Sequence, residues 1–244
     1  TNTSNTYDGT SWTAAPTVPF SHALGGGTGT ATAAIGGGGD GNAPGAVAEF
    51  NGSTWTATPT LGFNGFTIRF VGTQSAAVGA GAFYSDNAYE WNSSTWTASG
   101  ASMPVHKYSA SSVGTATAGA WIAGSTVGPA AKTGIVQLYN GTSWSVGTSV
   151  PTTGAPGACC SNSSPVDDLW VAGLDGASKT YTYTWDSSSW TTTGSLTLGR
   201  DNIAAGGTDR FNGFVAGGHD GASYVSATEE FLGNVGVIKT ITTS

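Results

Sequence analysis

The apolar positions of this chain fall in short runs of small residues that end in glycine, and each run is followed by a turn between two aromatic residues. A further short strand of small residues, such as 22–29 or 200–207, precedes each run. Runs this short, bounded by glycine, predict β-strands. The glycine-ended runs are AAIGGGGDG at 33–41, AAVGAGAF at 76–83, GAWIAGS at 119–125, LWVAGLDG at 169–176 and GFVAGGHDG at 213–221.

The aromatic turns form an internal repeat along almost the whole chain. Their second aromatic is a tryptophan at positions 12, 55, 96, 144 and 190. This period of roughly 40–50 residues is that of one four-stranded propeller blade. The copies are YDGTSW at 7–12, FNGSTW at 50–55, WNSSTW at 91–96, YNGTSW at 139–144 and WDSSSW at 185–190, with a degraded copy, FLGNVG, from residue 231.

Each copy predicts a β-hairpin. Asn-Gly and Asp-Gly pairs are strong signals for a two-residue type I′ turn, because both of its central residues need positive φ. A turn of that type at Asn51 and Gly52 puts Phe50 opposite Ser53, and places Phe50 diagonally from Trp55 on one face of the hairpin. We expect these aromatic pairs to fill the space between neighbouring blades.

The sequence therefore predicts an all-β fold, a five-bladed β-propeller with four-stranded antiparallel blades, in a single domain spanning residues 1–244. Small residues on the first two strands suit the crowded inner positions of a blade. One chain end has to supply the outer strand of the last blade; we favour residues 1–14 over the tail at 235–243. That choice leaves the tail free to pack elsewhere or to bind a neighbouring subunit. The expected blade units are 15–56, 57–97, 98–145, 146–191 and 192–244.

An apolar strand, a glycine pair, an aromatic residue and then a tryptophan resemble the kelch repeats of galactose-oxidase-like propellers. The full glycine pair is present at Gly37-Gly38 and Gly217-Gly218. The Gly-, Thr- and Ala-rich texture, the hairpin motif and the ATEE stretch at 227–230 are similar to kelch-like structural proteins of tailed phages, especially marine ones. This resemblance implies a virion component, such as a tail fibre, an appendage tip or a capsid decoration.

The charge content excludes several function classes. Only 9% of the residues are charged, the net charge is −7, and no basic cluster is present, so we expect no nucleic-acid partner. No apolar run approaches the ~20 residues that span a bilayer, so we expect no membrane insertion. The chain opens on Thr1 without a signal-peptide pattern, which indicates a processed chain or a piece of a longer one.

No residue pattern predicts a catalytic site, a cofactor or a metal. Cys159 and Cys160 are adjacent, so we interpret them as small buried residues rather than as a stapling disulfide. The doublets at 167–168 and 229–230 point to opposite faces of a strand, and we expect solvated charges there. A calcium site in the Asp-Gly loops at 40–41, 175–176 and 220–221 is left open. Three further sets of residues were considered. The histidines, His22, His106 and His219, share no ligand spacing. The arginines, Arg69, Arg200 and Arg210, are the candidates for a sialidase-like triad, and equivalent blade positions are occupied by His22, Gly65, Lys107 and Arg200.

We expect a non-enzymatic recognition module at a virion surface or in an extracellular setting. Its partners would be other virion proteins or a host-surface glycan, and assembly into a homo-oligomer is left open. The alternatives are a secreted lectin-like propeller with one sugar site per blade and, least favoured, a galactose-oxidase-like or sialidase-like enzyme. The ligand-binding residues are unknown at this stage. The aromatic residues that the repeat does not require are the best candidates for surface contact, namely Phe20, Phe63, Phe83, Tyr84, Tyr108 and Tyr224.

Overall fold

The computed structural model describes most of the chain as β-strands and turns. The described residues are 2–21, 23, 25–39, 45–82, 85–126, 131–154, 158–160, 167–174, 179–233 and 237–241, and of 158–160, 174 and 237–241 only the backbone is described. The strands in this part of the chain are β1 Ser4–Tyr7, β2 Trp12–Ala15, β3 Gly26–Thr30, β4 Ala33–Gly37, β5 Val47–Phe50, β6 Trp55–Ala57, β7 Arg69–Gly72, β8 Ala77–Ala80, β9 Ala88–Trp91, β10 Trp96–Ala98, β11 Ser111–Thr115, β12 Ala118–Ile122, β13 Val136–Tyr139, β14 Trp144–Gly147, β15 Ala158–Cys160, β16 Leu169–Leu174, β17 Tyr181–Trp185, β18 Trp190–Thr192, β19 Ala204–Asp209, β20 Asn212–Ala216, β21 Thr228–Leu232 and β22 Val237–Ile241.

Twenty of these strands form five four-stranded antiparallel sheets. Within each sheet, strands that are consecutive in the chain are neighbours, as in β3-β4-β5-β6 and β19-β20-β21-β22. A series of four-stranded meanders of this kind makes the blades of a propeller. The prediction of an all-β, five-bladed β-propeller is confirmed. We number the sheets blades 1 to 5 in chain order.

The predicted geometry of the repeat hairpins is wrong in one respect. Phe50 lies directly opposite Trp55 and Ala48 opposite Ala57, so the aromatic pair is cross-strand, not diagonal. The Asn51 side-chain Oδ1 accepts backbone N–H bonds from Ser53 at 3.0 Å and Thr54 at 2.9 Å. Because this side chain holds two further residues in the turn, the loop has four residues (51–54) instead of two.

The closure of the last blade also differs from the prediction. The tail strand β22 pairs with β21 over five residue pairs, from Thr228–Ile241 to Leu232–Val237. In the described part of the chain β1 and β2 pair only with each other, in a two-stranded sheet, so the expected closure by residues 1–14 is not observed. A short hairpin connection costs far less loop-closure entropy than recruiting a strand from the other end of the chain, which favours the local partner.

The hydrophobic core lies between neighbouring blades. The chain divides into two compact units, one made of residues 1–109, 115–117 and 140–144 and the other of the remaining residues. In the first unit Ile35 and Val47 of blade 1 pack with Phe70 and Trp91 of blade 2. In the second, Trp170 of blade 4 stacks on Phe231 of blade 5, with ring centroids 5.1 Å apart.

The first aromatic residue of the repeat is buried in four of the six copies and half-buried at Tyr7 and Trp185. The buried members of this set are Phe50, Trp91, Tyr139 and Phe231. The repeat tryptophans of blades 1 to 4 are half-buried, whereas Trp12 in the β1–β2 hairpin is 40% exposed. The aromatic pairs therefore act as wedges between sheets in the complete blades, and the β1–β2 hairpin departs from that pattern.

Candidate functional site on blade 5

The connection between β20 and β21 contains a small hairpin built like the repeat hairpins. Its sequence, HDGASY at 219–224, pairs His219 with Tyr224 across a four-residue loop. The Asp220 Oδ1 accepts backbone N–H bonds from Ala222 and Ser223, both at 2.8 Å, and Gly221 has φ +103°. The same Asx turn that orders the repeat hairpins therefore presents a His–Tyr pair here.

Tyr224 is the most exposed large hydrophobic side chain among the described residues, with 87% of its surface open to solvent. Its ring meets the His219 imidazole edge-on, with centroids 5.1 Å apart. Phe50 in a repeat hairpin is only 4% exposed. The hairpin at 219–224 thus shows an aromatic pair to solvent where the repeat hairpins bury theirs.

This small hairpin is held on blade 5 by a short ladder to the start of the blade. The His219 N–H donates to the Asp201 carbonyl at 2.9 Å, and the Asp201 N–H donates to the His219 carbonyl at 3.1 Å. Residues directly opposite each other in such a ladder project from the same face. Asp201, His219 and Tyr224 therefore form one row of side chains.

Polar groups surround the aromatic pair at the Asp201 end of the row. The Lys179 ammonium contacts Asp201 Oδ2 at 2.6 Å, and the Asn202 amide donates to Asp201 Oδ1 at 3.1 Å. Both Lys179 and Asn202 have positive φ, +54° and +53°. We call Lys179, Asp201, Asn202, His219 and Tyr224 the Tyr224 surface.

The hydrogen bonds of the small hairpin fix its electrostatic character. The His219 Nδ1 accepts the Gly221 N–H at 3.0 Å, so the neutral imidazole carries its proton on Nε2, where it is a donor. The backbone N–H of Ser223, followed by that of Ala222, lowers the pKa of Asp220 below its ordinary value of 3.8. The surface thus combines an aromatic face with hydrogen-bond donors and acceptors.

A buried ion pair lies in blade 5 directly before Asp201 in the chain. Arg200 and Glu229 are fully buried, and Arg200 Nη2 lies 3.1 Å from Glu229 Oε1. The other Glu229 oxygen accepts the Thr197 N–H at 2.7 Å. The expectation that the Glu229 carboxylate is solvated is wrong, because Arg200 provides it with a counter-charge inside the blade.

The other arginines and the equivalent blade positions serve different local contacts. Arg69 donates to the Gly25 carbonyl at 3.1 Å, whereas Arg210 lies 3.8 Å from Asp168. Lys107 and Arg200 both lie four residues before the first strand of their blade, as predicted, and both are fully buried. Burial lowers the pKa of Lys107 to about 7.

Several sequence candidates lie outside the described residues. These include His22, Phe83, Tyr84 and the Asp-Gly loops at 40–41 and 175–176. The strand β15 contains Cys159 and Cys160, of which only the backbone is described. Where the structure describes side chains, no three His, Cys, Asp or Glu residues come close enough together to hold a metal ion.

The irregular aromatic residues divide clearly by exposure. Phe63 stacks on Tyr89 at 5.0 Å, and Tyr108 stacks on Phe66 at 6.1 Å. Phe20, Phe63 and Tyr108 are half-buried, whereas Tyr224 is open to solvent. Of the predicted contact residues that the structure describes, Tyr224 is the one that stands free on the surface.

The small hairpin around Tyr224 was not predicted from the sequence, although Tyr224 itself was. The signal was present, because HDGASY matches YDGTSW at the Asp, Gly and Ser positions and has ring side chains at both ends. It lies between β20 and β21 instead of at the repeat position, so a search by period passes over it. The Asx-turn motif alone, without the period, would have found it.

Comparisons with known proteins bear on the fold alone. No protein-family model matches the chain, and no curated protein matches it in sequence. The solved structure titled "Structure of YjhT", a propeller-type protein, matches with a TM-score of 0.63 at 10% identity, over 93% of this chain and 99% of that one. No helix of the described residues has the length and apolarity that crossing a membrane requires.

Proposed function

We propose that this propeller is a non-enzymatic recognition module of a phage virion that binds a host-surface glycan through the Tyr224 surface. The observation that carries the proposal is the exposed Tyr224 ring beside His219, on a hairpin whose own hydrogen bonds hold it in place. A rigid aromatic with a polar edge binds ligands at little cost in conformational entropy.

A sugar ring fits the chemistry of this surface. The apolar face of a pyranose can lie on the Tyr224 ring, while its hydroxyls bond to donors and acceptors beside it. Asp201 and Asn202 offer a carboxylate and an amide, and His219 offers its Nε2 proton. Small-ligand sites commonly combine one apolar face with a few placed polar groups in this way.

The virion setting rests on the resemblance of the repeats to phage structural proteins and on the low charge of the chain. Only 9% of the residues are charged, so Thr, Ser, Asn and Gly provide most of the solvation. Detection of this chain in purified phage particles by mass spectrometry would support the virion setting. Recovery of the chain only as a free cytosolic protein would contradict that setting.

The binding proposal is tested with a glycan array followed by titration calorimetry on the best ligand. We expect Tyr224→Ala to weaken binding about tenfold, the loss of about 1.4 kcal/mol, and Tyr224→Phe to weaken it less. Val146 is 57% exposed on the outer strand of blade 3, so Val146→Ala is a surface control that should leave the affinity unchanged. Glycan binding that survives Tyr224→Ala would place the site elsewhere.

A secreted lectin with one sugar site per blade is the second function considered. That function requires an equivalent binding hairpin in each blade, whereas the HDGASY motif occurs once in the sequence. A single binding site per chain in the calorimetric titration would decide for the Tyr224 surface. A stoichiometry near five would decide for the lectin.

A further inference from the structure

The side-chain oxygen of Asn51 is surrounded by four hydrogen-bond donors. Besides the backbone N–H groups of Ser53 and Thr54, at 3.0 Å and 2.9 Å, it accepts the hydroxyls of the same two residues at 3.0 Å and 3.3 Å. A neutral amide oxygen has two lone pairs, so four donors exceed what it needs. Donors that converge in this way stabilise negative charge that develops on the oxygen, as in the oxyanion hole of an enzyme.

The residue that follows Asn51 can act as a nucleophile towards this polarised amide. The Gly52 nitrogen closes a five-membered ring when it bonds to Asn51 Cγ. Glycine has no Cβ to hinder that ring closure, and Gly52 has φ +91°. Asn51 and Gly52 are both exposed, so water reaches the amide and can take a proton from the nitrogen. The turn therefore combines a nucleophile, an electrophile and an oxyanion site.

The turn at Asn140 and Gly141 in blade 3 repeats this arrangement. The Asn140 Oδ1 accepts the backbone N–H groups of Thr142 and Ser143 at 3.0 Å and 2.8 Å, and their hydroxyls at 3.0 Å and 3.2 Å. Asn140 is exposed, and Gly141 has φ +93°. The two asparagine-glycine turns thus share both their chemistry and their geometry.

The turn at Asn92 has the same donors but a different nucleophile. Its Oδ1 accepts the N–H groups and the hydroxyls of Ser94 and Thr95, at distances from 2.9 Å to 3.1 Å and a longest one of 3.3 Å. The residue that follows is Ser93, whose side chain hinders the approach of its own nitrogen to Asn92 Cγ. This turn is therefore a built-in comparison for the contribution of glycine.

We propose that Asn51 and Asn140 are sites of deamidation, and that the donors of their own turns promote it. The Gly52 nitrogen gives up its proton to water and bonds to Asn51 Cγ, while the carbonyl electron pair moves to Oδ1, where the four donors stabilise it. When that pair returns, Nδ2 takes a proton from water and leaves as ammonia, and a succinimide ring remains. Water then opens the ring, so one asparagine and one water become one aspartate and one ammonia. Gly141 and Asn140 react in the same way.

The fold favours one of the two products of ring opening. Aspartate fits the turn, because Asp8 Oδ1 accepts the backbone N–H groups of Thr10 and Ser11 at 2.8 Å in the same kind of hairpin. Isoaspartate adds a methylene to the backbone and would displace Trp55 from its position opposite Phe50. The folded hairpin therefore selects aspartate and gains one negative charge. This proposal does not depend on the glycan site.

The first test compares the three asparagine turns within one molecule. The purified chain is incubated in mildly alkaline buffer, and peptide mass spectrometry follows the conversion of each asparagine and separates aspartate from isoaspartate. We expect Asn51 and Asn140 to convert, mainly to aspartate, and Asn92 to lag behind both. Absence of conversion at Asn51 and Asn140 would overturn the proposal, and so would conversion of Asn92 at their rate.

The second test removes the two hydroxyl donors at Asn51. Ser53→Ala with Thr54→Val keeps both N–H groups, and we expect it to slow conversion of Asn51 by about three- to tenfold, less than in an enzyme site because this turn is exposed. Asn140 keeps its donors and should convert at its usual rate. Ser53→Thr with Thr54→Ser creates the order of hydroxyls that follows Asn140, so its rate at Asn51 should match wild type.

The response of Asn140 separates a donor effect from unfolding. If the double replacement unfolds the chain, the rate at Asn140 changes as well, and the single Ser53→Ala replacement then supplies the measurement. An unchanged or faster conversion of Asn51 in a folded donor variant would overturn the promoting role of the turn, because a turn that only restrains the asparagine would release it when donors are lost.

Discussion

Gly52 and Ser187 occupy the same position of two repeat hairpins and share a left-handed backbone, with φ +91° and +74°. The Asx turn imposes this conformation on whichever residue follows the Asn or Asp. A glycine adopts it without strain, whereas an L-residue pays about 1–2 kcal/mol there. The repeat therefore carries strain wherever serine replaces glycine in the turn.

Ser187→Gly should stabilise the protein. Relief of the left-handed strain outweighs the extra entropy of glycine in the unfolded chain, for a net gain of about 0.5 kcal/mol in the free energy of unfolding. Urea unfolding monitored by tryptophan fluorescence measures it. Ser93→Gly is the matched control, since Ser93 also has φ +74° but donates its hydroxyl to the Ser75 carbonyl at 3.0 Å. A larger gain at position 93 than at 187 would contradict this account.

The side chain that opens each turn should matter more than the residue after it. The Asn140 Oδ1 accepts N–H bonds from Thr142 at 3.0 Å and Ser143 at 2.8 Å. We expect Asn140→Ala to lower the free energy of unfolding by about 1–2 kcal/mol, because two ordering bonds are lost. Asn140→Asp keeps the acceptor, as Asp8 and Asp186 do in their turns, and should stay near wild type at pH 7. Equal losses for both variants would show that the acceptor is not responsible.

These turns also explain which parts of the fold the sequence could predict. The aromatic repeat predicted the number of blades because its period is set by one four-stranded sheet. The hairpin register was mispredicted because Asn51 can either enter a two-residue turn or hold the next two amides with its side chain. Sequence alone does not separate these outcomes. The positive φ of Ser93 and Ser187 confirms that the Asx turn does not require glycine.

The site was predictable only in part for a related reason. Tyr224 stood out because the repeat does not require it, but its partner His219 was considered only as a metal ligand and shares no ligand spacing with the other histidines. Glu229 was expected in solvent because it forms a doublet with Glu230 on one strand. Its partner Arg200 lies 29 positions earlier in the chain, and only the folded blade brings the two together. Contacts between residues that are distant in the chain leave no local pattern in the sequence, whereas local turns and periodic core positions leave one.

The aspartate turns predict a stability change at low pH. The side-chain hydrogen bond from Ser188, together with the N–H groups of Ser189 and Ser188, lowers the pKa of Asp186 from 3.8 to about 2 in the folded protein. A carboxyl group with a depressed folded pKa contributes stability above its unfolded pKa and loses it as the pH falls through the folded value. Stability should therefore decline as the pH falls from about 4 to about 2. The carbon NMR titration of the Asp186 carboxyl gives its pKa directly.

Asp186→Asn supplies the control for this pH dependence. The amide keeps the acceptor oxygen but does not titrate, so the variant should lose less stability than wild type over that range. Asp8 and Asp220, whose pKa values are also lowered by backbone N–H groups, remain in the variant and keep part of the slope. An unchanged slope after Asp186→Asn would exclude a contribution from this carboxyl.

The Arg200–Glu229 pair should be the most sensitive polar contact of blade 5. Glu229→Ala leaves a fully buried guanidinium without its counter-charge, and we expect a loss of about 3–5 kcal/mol in the free energy of unfolding. The paired replacement Arg200→Met with Glu229→Leu removes both charges and should recover most of that loss. Asp168→Asn breaks the more exposed contact to Arg210, at 3.8 Å, and should cost at most about 1 kcal/mol. If the double replacement is as unstable as Glu229→Ala, the unpaired charge is not the cause, and the hydrogen bond from Thr197 to Glu229 would be the contact to test next.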